Sequence, residues 1–172
     1  LTWIWFLLAG VVRDRDGRRL PVQRWMPISS RLTSLQVCIR TDASPFGFGA
    51  ILFVHGLPLQ WMAAEWSVED CELFKATRGD SAWQAEWEFQ GLLRAVDSWL
   101  AHLRGQALVL FQLDATVALH ASVRGAGRTL FMNALAAELA LRLESAAVSM
   151  VPEDWSGILT FECDALSRLA QG

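Results

Sequence analysis

From residue 35 the chain alternates apolar and polar positions with a period near two, and near residue 82 the period becomes helical. Leu35-Gln-Val-Cys-Ile39 runs into Thr41 and Asp42, a Pro45/Gly47/Gly49 break follows, and Gly49-Ala-Ile-Leu-Phe-Val54 resumes the apolar run. β-Branched residues punctuated by turn formers predict two hairpin-linked strands, about Leu35–Asp42 and Phe48–His55. A turn at Gly56/Pro58 leads to a third strand, about Leu59–Glu65. Ser67-Val-Glu-Asp-Cys-Glu72 has the form of a capped helical turn, and Thr77–Ser81 reads as a loop.

Ala82–Arg104 places Trp87, Leu92, Ala95, Val96, Trp99 and Leu103 on one helical face, and Gly105 stops the helix. Ala107–Leu113 is almost continuously apolar, as expected of a strand covered on both faces; Asp114 follows. A short helix (Thr116–Val123), an Arg124-Gly-Ala-Gly-Arg128 loop, a long helix (Leu130–Ser145) and a strand (Ala147–Val151) come next. A Pro- and Gly-containing loop then leads to a last helix, about Phe161–Ala170. The order βββαβαβα predicts an α/β domain with a mixed sheet flanked by helices. Residues 1–34 combine an apolar piece, the charged run Arg13–Arg19 and a Pro/Ser stretch, and read as a connector or the tail of an upstream domain. The domain itself is expected over 35–172.

Composition narrows this picture. With 172 residues and 53% hydrophobic content the chain is long and apolar enough for one cored domain, and its mean hydropathy of +0.27 argues against extended disorder. A net charge of −3 gives no electrostatic signature of nucleic-acid binding. Three widely spaced cysteines and three histidines form no zinc motif, so a reduced, intracellular chain is expected. The opening Leu-Thr-Trp-Ile-Trp-Phe-Leu-Leu-Ala-Gly10 is about half the ~20 apolar residues of a membrane span, and it has no signal-peptide form. No membrane association is expected. The start without methionine fits a piece of a longer protein.

The candidate chemistry lies in four acids at element edges. Asp42 sits in an apolar strand, where a carboxylate is costly unless it is paired or holds a cation. Glu88 lies early in the first long helix, Asp114 follows the central apolar strand, and Asp164 opens the last helix. In layered sheets, ligand sites gather near strand ends. Three or four carboxylates at one point suit two-metal phosphodiester hydrolysis, with hard oxygen ligands favouring two Mg²⁺, or Mn²⁺. Glu86 is the rival of Glu88, and the Ala95/Trp99 spacing favours Glu88 as the acid that meets the sheet. Asp164 has an ordinary alternative as a first-turn helix acid.

These segments resemble the ribonuclease H domains of retroelement reverse transcriptases. Thr41-Asp-Ala-Ser44 with Gly47-Phe-Gly-Ala-Ile-Leu52 is similar to the opening motif of that family. Glu88-Phe-Gln-Gly-Leu-Leu-Arg-Ala-Val96 resembles its Glu-Leu-x-Ala-x-x-x-Ala-Leu helix, and Leu113-Asp-Ala-Thr-Val-Ala-Leu119 its second aspartate motif. Cys163-Asp-Ala-Leu-Ser-Arg-Leu169 resembles the closing Ala-Asp-x-Leu-Ser-Arg motif of retrotransposon copies, DIRS-like elements among them. The resemblance covers Leu35–Leu169. It departs from the family pattern in the longer Pro152–Gly157 loop, in Thr160 where the family has Asn, in Cys163 for a small Ala, and in Gly91 for a helical Ala.

The resemblance implies a ribonuclease H-like fold with a five-stranded mixed sheet, and hydrolysis of the RNA strand of RNA–DNA hybrids. Asp42, Glu88, Asp114 and Asp164 would hold two Mg²⁺ ions, and Asp42, central in the sheet, would bridge them. An upstream reverse transcriptase domain in the same polyprotein is the implied partner. Ser44 and Asn133 are candidates for contact with the substrate backbone or a 2′-hydroxyl. Arg124 and Arg128 have the charge for phosphate contact, against a default of a solvated loop. Nine tryptophans suggest stacking platforms, but Trp87 and Trp99, and most of the others, are expected in the core. Two other readings share the fold: a non-catalytic scaffold domain on a polymerase or nucleic acid, and a related enzyme acting on DNA.

Overall fold

The structure is a computed structural model and describes residues 37–106, 108–113, 129–154 and 161–169, all within the compact unit Ser34–Gly172. Five strands, β1 (Val37–Ser44), β2 (Gly47–Val54), β3 (Leu57–Glu65), β4 (Leu108–Leu113) and β5 (Ser149–Asp154), form one sheet in the order β3-β2-β1-β4-β5. The first three are antiparallel neighbours, and β4 joins β1, and β5 joins β4, in parallel. The helices are α1 (Val68–Phe74), α2 (Gln84–Leu103), α3 (Leu130–Ser145) and α4 (Phe161–Ser167), and a 3₁₀ turn, Ser81–Trp83, leads into α2.

Local chemistry accounts for the element ends. Ser67 and Asp70 form a reciprocal capping box at the start of α1. Thr129 caps α3 by accepting from the Met132 N–H. At the other end of α3, Ala147 takes a positive φ of 56° while its N–H reaches the Glu144 carbonyl and the Val148 N–H that of Leu143. That is a Schellman closure. It occupies residues 146–148, so the fifth strand starts at Ser149 rather than at Ala147 as expected.

Further boundaries differ from the sequence reading. β1 continues to Ser44 rather than stopping at Asp42. β3 begins at Leu57 and includes Pro58, opposite Phe53, because His55 and Gly56 alone make the turn, both with positive φ. β5 runs through Pro152 to Asp154, where a loop was expected. Proline is tolerated in β3 and β5 because each is an edge strand of the sheet among the described residues. The last helix ends at Ser167 instead of Ala170. Asp114, the expected helix Thr116–Val123 and the loop Arg124–Arg128 lie outside the described residues.

The β1–β2 register sorts the two faces of the sheet. Ala43 pairs with Phe48 and Asp42 with Gly49, so neighbouring pairs point to opposite sides. α2 covers the Ala43/Phe48 face: a Cβ at Gly91 would sit 3.2 Å from the Phe48 Cβ. Gly91 therefore trades about 1 kcal/mol of helix propensity for close approach of helix to sheet. α4 covers the other face, over Gly49, whose missing Cβ would fall on the Leu166 Cβ and 2.5 Å from the Cys163 carbonyl.

Aromatic packing closes the α2 side. Trp66 stacks between Phe48 and Trp87 at 5.3 and 4.9 Å, and Phe74 meets Trp87 edge-on at 4.8 Å. Trp87 and Trp99 are buried, as expected. Trp61, on the edge strand, is 66% exposed and is not a packing residue.

Candidate active site

The site is built around the end of β1. Among the described residues β1 and β4 pair from Cys38 opposite Leu110 to Thr41 opposite Leu113, and β1 runs on to Ser44 with β2 beside it. Buried backbone polar groups need partners. For Ala43 they come from α2: its N–H donates to Glu88 Oε2 at 3.1 Å, and its carbonyl accepts from Gln84 Nε2 at 2.6 Å. The same Gln84 nitrogen reaches Glu88 Oε1 at 2.9 Å. Gln84 and Glu88 are one helical turn apart, so both face the strand end.

Asp42 precedes Ala43 and is 8% exposed on the opposite face of the strand. Its Oδ2 accepts from the hydroxyl of Ser167, the last residue of α4, at 3.1 Å. The structure thus brings two buried carboxylates, Asp42 and Glu88, to successive residues at one end of the central strand. Glu86 turns elsewhere: it accepts from Thr129 Oγ1 at 3.0 Å and ties α2 to the cap of α3.

Asp164 lies in the first turn of α4 with its side chain 41% exposed, and its carboxylate takes the Arg168 Nε at 2.6 Å. The pair, strengthened by the Asp42 charge nearby, holds the Arg168 guanidinium above its ordinary pKa. Asp114 lies outside the described residues; Leu113, the residue before it, is the last of β4. Ser44 is buried, with its hydroxyl 3.0 Å from the Ser167 carbonyl and 3.3 Å from that of Gly47, and it accepts from the Phe46 N–H. Trp66 Nε1 donates to the Ser44 carbonyl at 2.7 Å, so the β1–β2 turn is held from three sides. Asn133 is exposed in the first turns of α3.

Gln84 and Ser167 are the two site residues that sequence reasoning missed. The signal for Gln84 was its i, i+4 spacing to Glu88. For Ser167 it was the Leu-Ser-Arg segment, whose serine is buried beside Asp42. Cys163, where the resembled motif has alanine, packs under α4 with its thiol against the Arg40 carbonyl at 3.5 Å. Burial pushes this thiol up to about 12, and likewise that of Cys38.

The donor chemistry of Asp42 and Glu88 is all carboxylate oxygen, which suits a hard divalent cation. Among the described residues no three Asp, Glu, His or Cys side chains stand close enough together to enclose a metal.

Several solved structures are similar to this chain in fold. The N-terminal RNase H domain of a Mycobacterium tuberculosis protein matches with TM-score 0.60 at 15% identity, over 79% of this chain and 98% of that one. LC11-RNase H1, isolated from compost by a metagenomic approach, matches with TM-score 0.59 at 15% identity, over 79% and 95%. The fold is ribonuclease H-like. Prototype foamy virus protease-reverse transcriptase also matches, with TM-score 0.52 at 15% identity, over 99% of this chain; this chain spans about a quarter of that one, 26%. LC11-RNase H1 and the foamy viral protein have each been solved in complex with an RNA/DNA hybrid. No protein-family model and no curated protein sequence matches this chain.

Proposed function

We propose that this ribonuclease H-like domain is a metal-dependent nuclease that hydrolyses the RNA strand of RNA–DNA hybrids. One observation carries the reading: the Glu88 carboxylate of α2 accepts the N–H of Ala43, the residue after Asp42, near the end of the central strand. A buried acid on each of two elements at one strand end has the composition of a divalent-cation site. Asp114, which follows the last residue of β4, is the third ligand in this reading, and Asp164 the fourth. Two cations held there would supply an activated water and stabilise the leaving oxygen.

The chain's own residues do the rest. Gln84 fixes the Glu88 carboxylate on one side and the Ala43 carbonyl on the other, so the acid is presented without a rotamer search. Ser167 does the same for Asp42. The Asp164–Arg168 pair is half exposed, and an exposed pair of this kind is worth at most about 1 kcal/mol, so Asp164 is free to exchange Arg168 for a cation. Hybrid recognition rests on groove shape and 2′-hydroxyls, consistent with a net charge of −3 that offers no broad phosphate-binding surface.

The wider context is part of the same proposal. Residues 1–34 serve as a connector from an upstream reverse transcriptase domain of a retroelement polyprotein, working inside the cell. No helix among the described residues is long and apolar enough to cross a membrane.

The test is cleavage of a labelled RNA–DNA hybrid with Mg²⁺ by wild type and Asp42→Asn. Cleavage by the wild type and not by the variant is the expected result, and equal cleavage by both removes the proposal. The second reading, a non-catalytic scaffold of the same fold, is favoured by the Arg168 ion pair on Asp164. It predicts no cleavage by either protein and no gain of thermal stability with Mg²⁺.

A further inference from the structure

The C-terminal end of α4 is attached to β1 by two hydrogen bonds that share one residue. The Ser167 hydroxyl reaches Asp42 Oδ2 at 3.1 Å, and the Ser167 carbonyl accepts from the Ser44 hydroxyl at 3.0 Å. Ser167 is 1% exposed, and Gly49 supplies the space, since a Cβ there would meet the Ser167 nitrogen at 2.9 Å.

The ordinary role of a serine at this point is to close its own helix. Ser167 Oγ is indeed 2.9 Å from the Asp164 carbonyl. A hydroxyl has only one proton to donate, and the two acceptors compete for it. The Asp164 carbonyl is neutral and already accepts from the Arg168 N–H at 3.2 Å. The Asp42 carboxylate is buried, and a charge-assisted bond is about twice as strong as a neutral one. The proton therefore goes to Asp42.

We propose that Ser167 is the positioning residue of the Asp42 carboxylate: its hydroxyl holds Oδ2 in one orientation and thereby raises the affinity of the Asp42 site for a divalent cation. The inference rests on the reading of Asp42 as a metal ligand. The same hydroxyl lies between the Asp42 side chain and the Asp164 backbone, so it also sets the distance between two of the four proposed ligand residues. A group bonded to a ligand in this way typically contributes 10–100-fold to metal affinity.

The experiment measures Mg²⁺ affinity by calorimetry, without substrate, for wild type, Ser167→Ala and Asp42→Asn, alongside melting temperature without metal. The expected result is a Ser167→Ala protein that melts within a few degrees of wild type and binds Mg²⁺ roughly 10-fold more weakly, with cleavage restored by raising Mg²⁺. Unchanged affinity in Ser167→Ala, with binding abolished in Asp42→Asn, overturns the positioning role and leaves the metal-ligand reading standing. Wild-type affinity and cleavage in Asp42→Asn overturn both. Should Ser167→Ala fail to fold, Ser167→Thr and Ser167→Cys take its place. Affinity kept with the hydroxyl and lost with the thiol supports the role, and equal affinity in the two overturns it.

Discussion

Glu88 and Ala43 lie 45 positions apart, yet the Glu88 carboxylate accepts the Ala43 N–H at 3.1 Å. The acid is thereby doubly employed. It satisfies a buried backbone donor of β1, and it is bonded to the residue that follows Asp42. Structure and proposed chemistry use the same hydrogen bond.

Gln84 holds that arrangement, so its loss separates the two roles. Gln84→Ala leaves the Ala43 carbonyl without its side-chain donor and is expected to cost about 1–3 kcal/mol, read from chemical denaturation. Glu88→Gln keeps an acceptor for the Ala43 N–H. Its amide nitrogen then faces the Gln84 Nε2 donor that Glu88 Oε1 accepts in the wild type, so it is expected to cost about 1–3 kcal/mol while losing hybrid cleavage by more than about 100-fold, since a ligand should outweigh the outer contacts that tune it. A stable and fully active Glu88→Gln protein would exclude Glu88 from the metal site.

Gly49→Ala tests the fit of α4 on the sheet. The new Cβ would meet the Cys163 carbonyl at 2.5 Å, and backbone does not yield as a side-chain tip does. Overpacking of this kind costs about 1–3 kcal/mol. The displaced helix carries Ser167 and Asp164 with it, so Mg²⁺-induced stabilisation should shrink in the same protein. A thermal melt with and without Mg²⁺ reads both effects.

Asp70 gives the fold an acid limb. Burial raises its pKa, but the Arg94 hydrogen bond at 2.7 Å and the Ser67 contacts of the capping box outweigh burial and leave the carboxyl below its ordinary value. A depressed folded pKa contributes stability that is present above the unfolded value, near 3.8, and is lost as pH falls through the folded one. Asp70→Asn should therefore lower the melting temperature at pH 7 and flatten its fall below about pH 4. A parallel pH–melting curve for wild type and variant would refute this.

Cys38 and Cys163 should be slow nucleophiles. With thiols near 12, almost no thiolate exists at pH 8, and the thiolate is the reactive form. Alkylation of native protein, followed by mass, is expected to modify Cys71 first and the other two only after unfolding. Rapid native labelling of Cys163 would show that α4 opens away from the sheet.

The boundaries set by local chemistry were legible from sequence alone. The span Leu130–Ser145 matches α3, and the capping box at Ser67 and the β1–β2 hairpin are also present. Periodicity, caps and turn formers act over a few residues, so they leave their mark in a few residues. The choice of Glu88 over Glu86 as the acid at the sheet was legible for the same reason, because the helix face is a matter of spacing.

Other features were decided only in three dimensions. Pro152 reads as a loop residue until β5 is seen to be an edge strand, and Gly91 reads as a helix defect until Phe48 is found against it. The hydroxyl on Asp42 comes from a residue 125 positions away, and the partner of the Ala43 N–H from a helix residue 45 positions away. The sequence by itself determined the strands and long helices of the described residues, the order of the acids and the face that α2 turns to the sheet. Strand register and helix-to-sheet distance decided which groups touch, because non-local contacts have no period that a sequence can display.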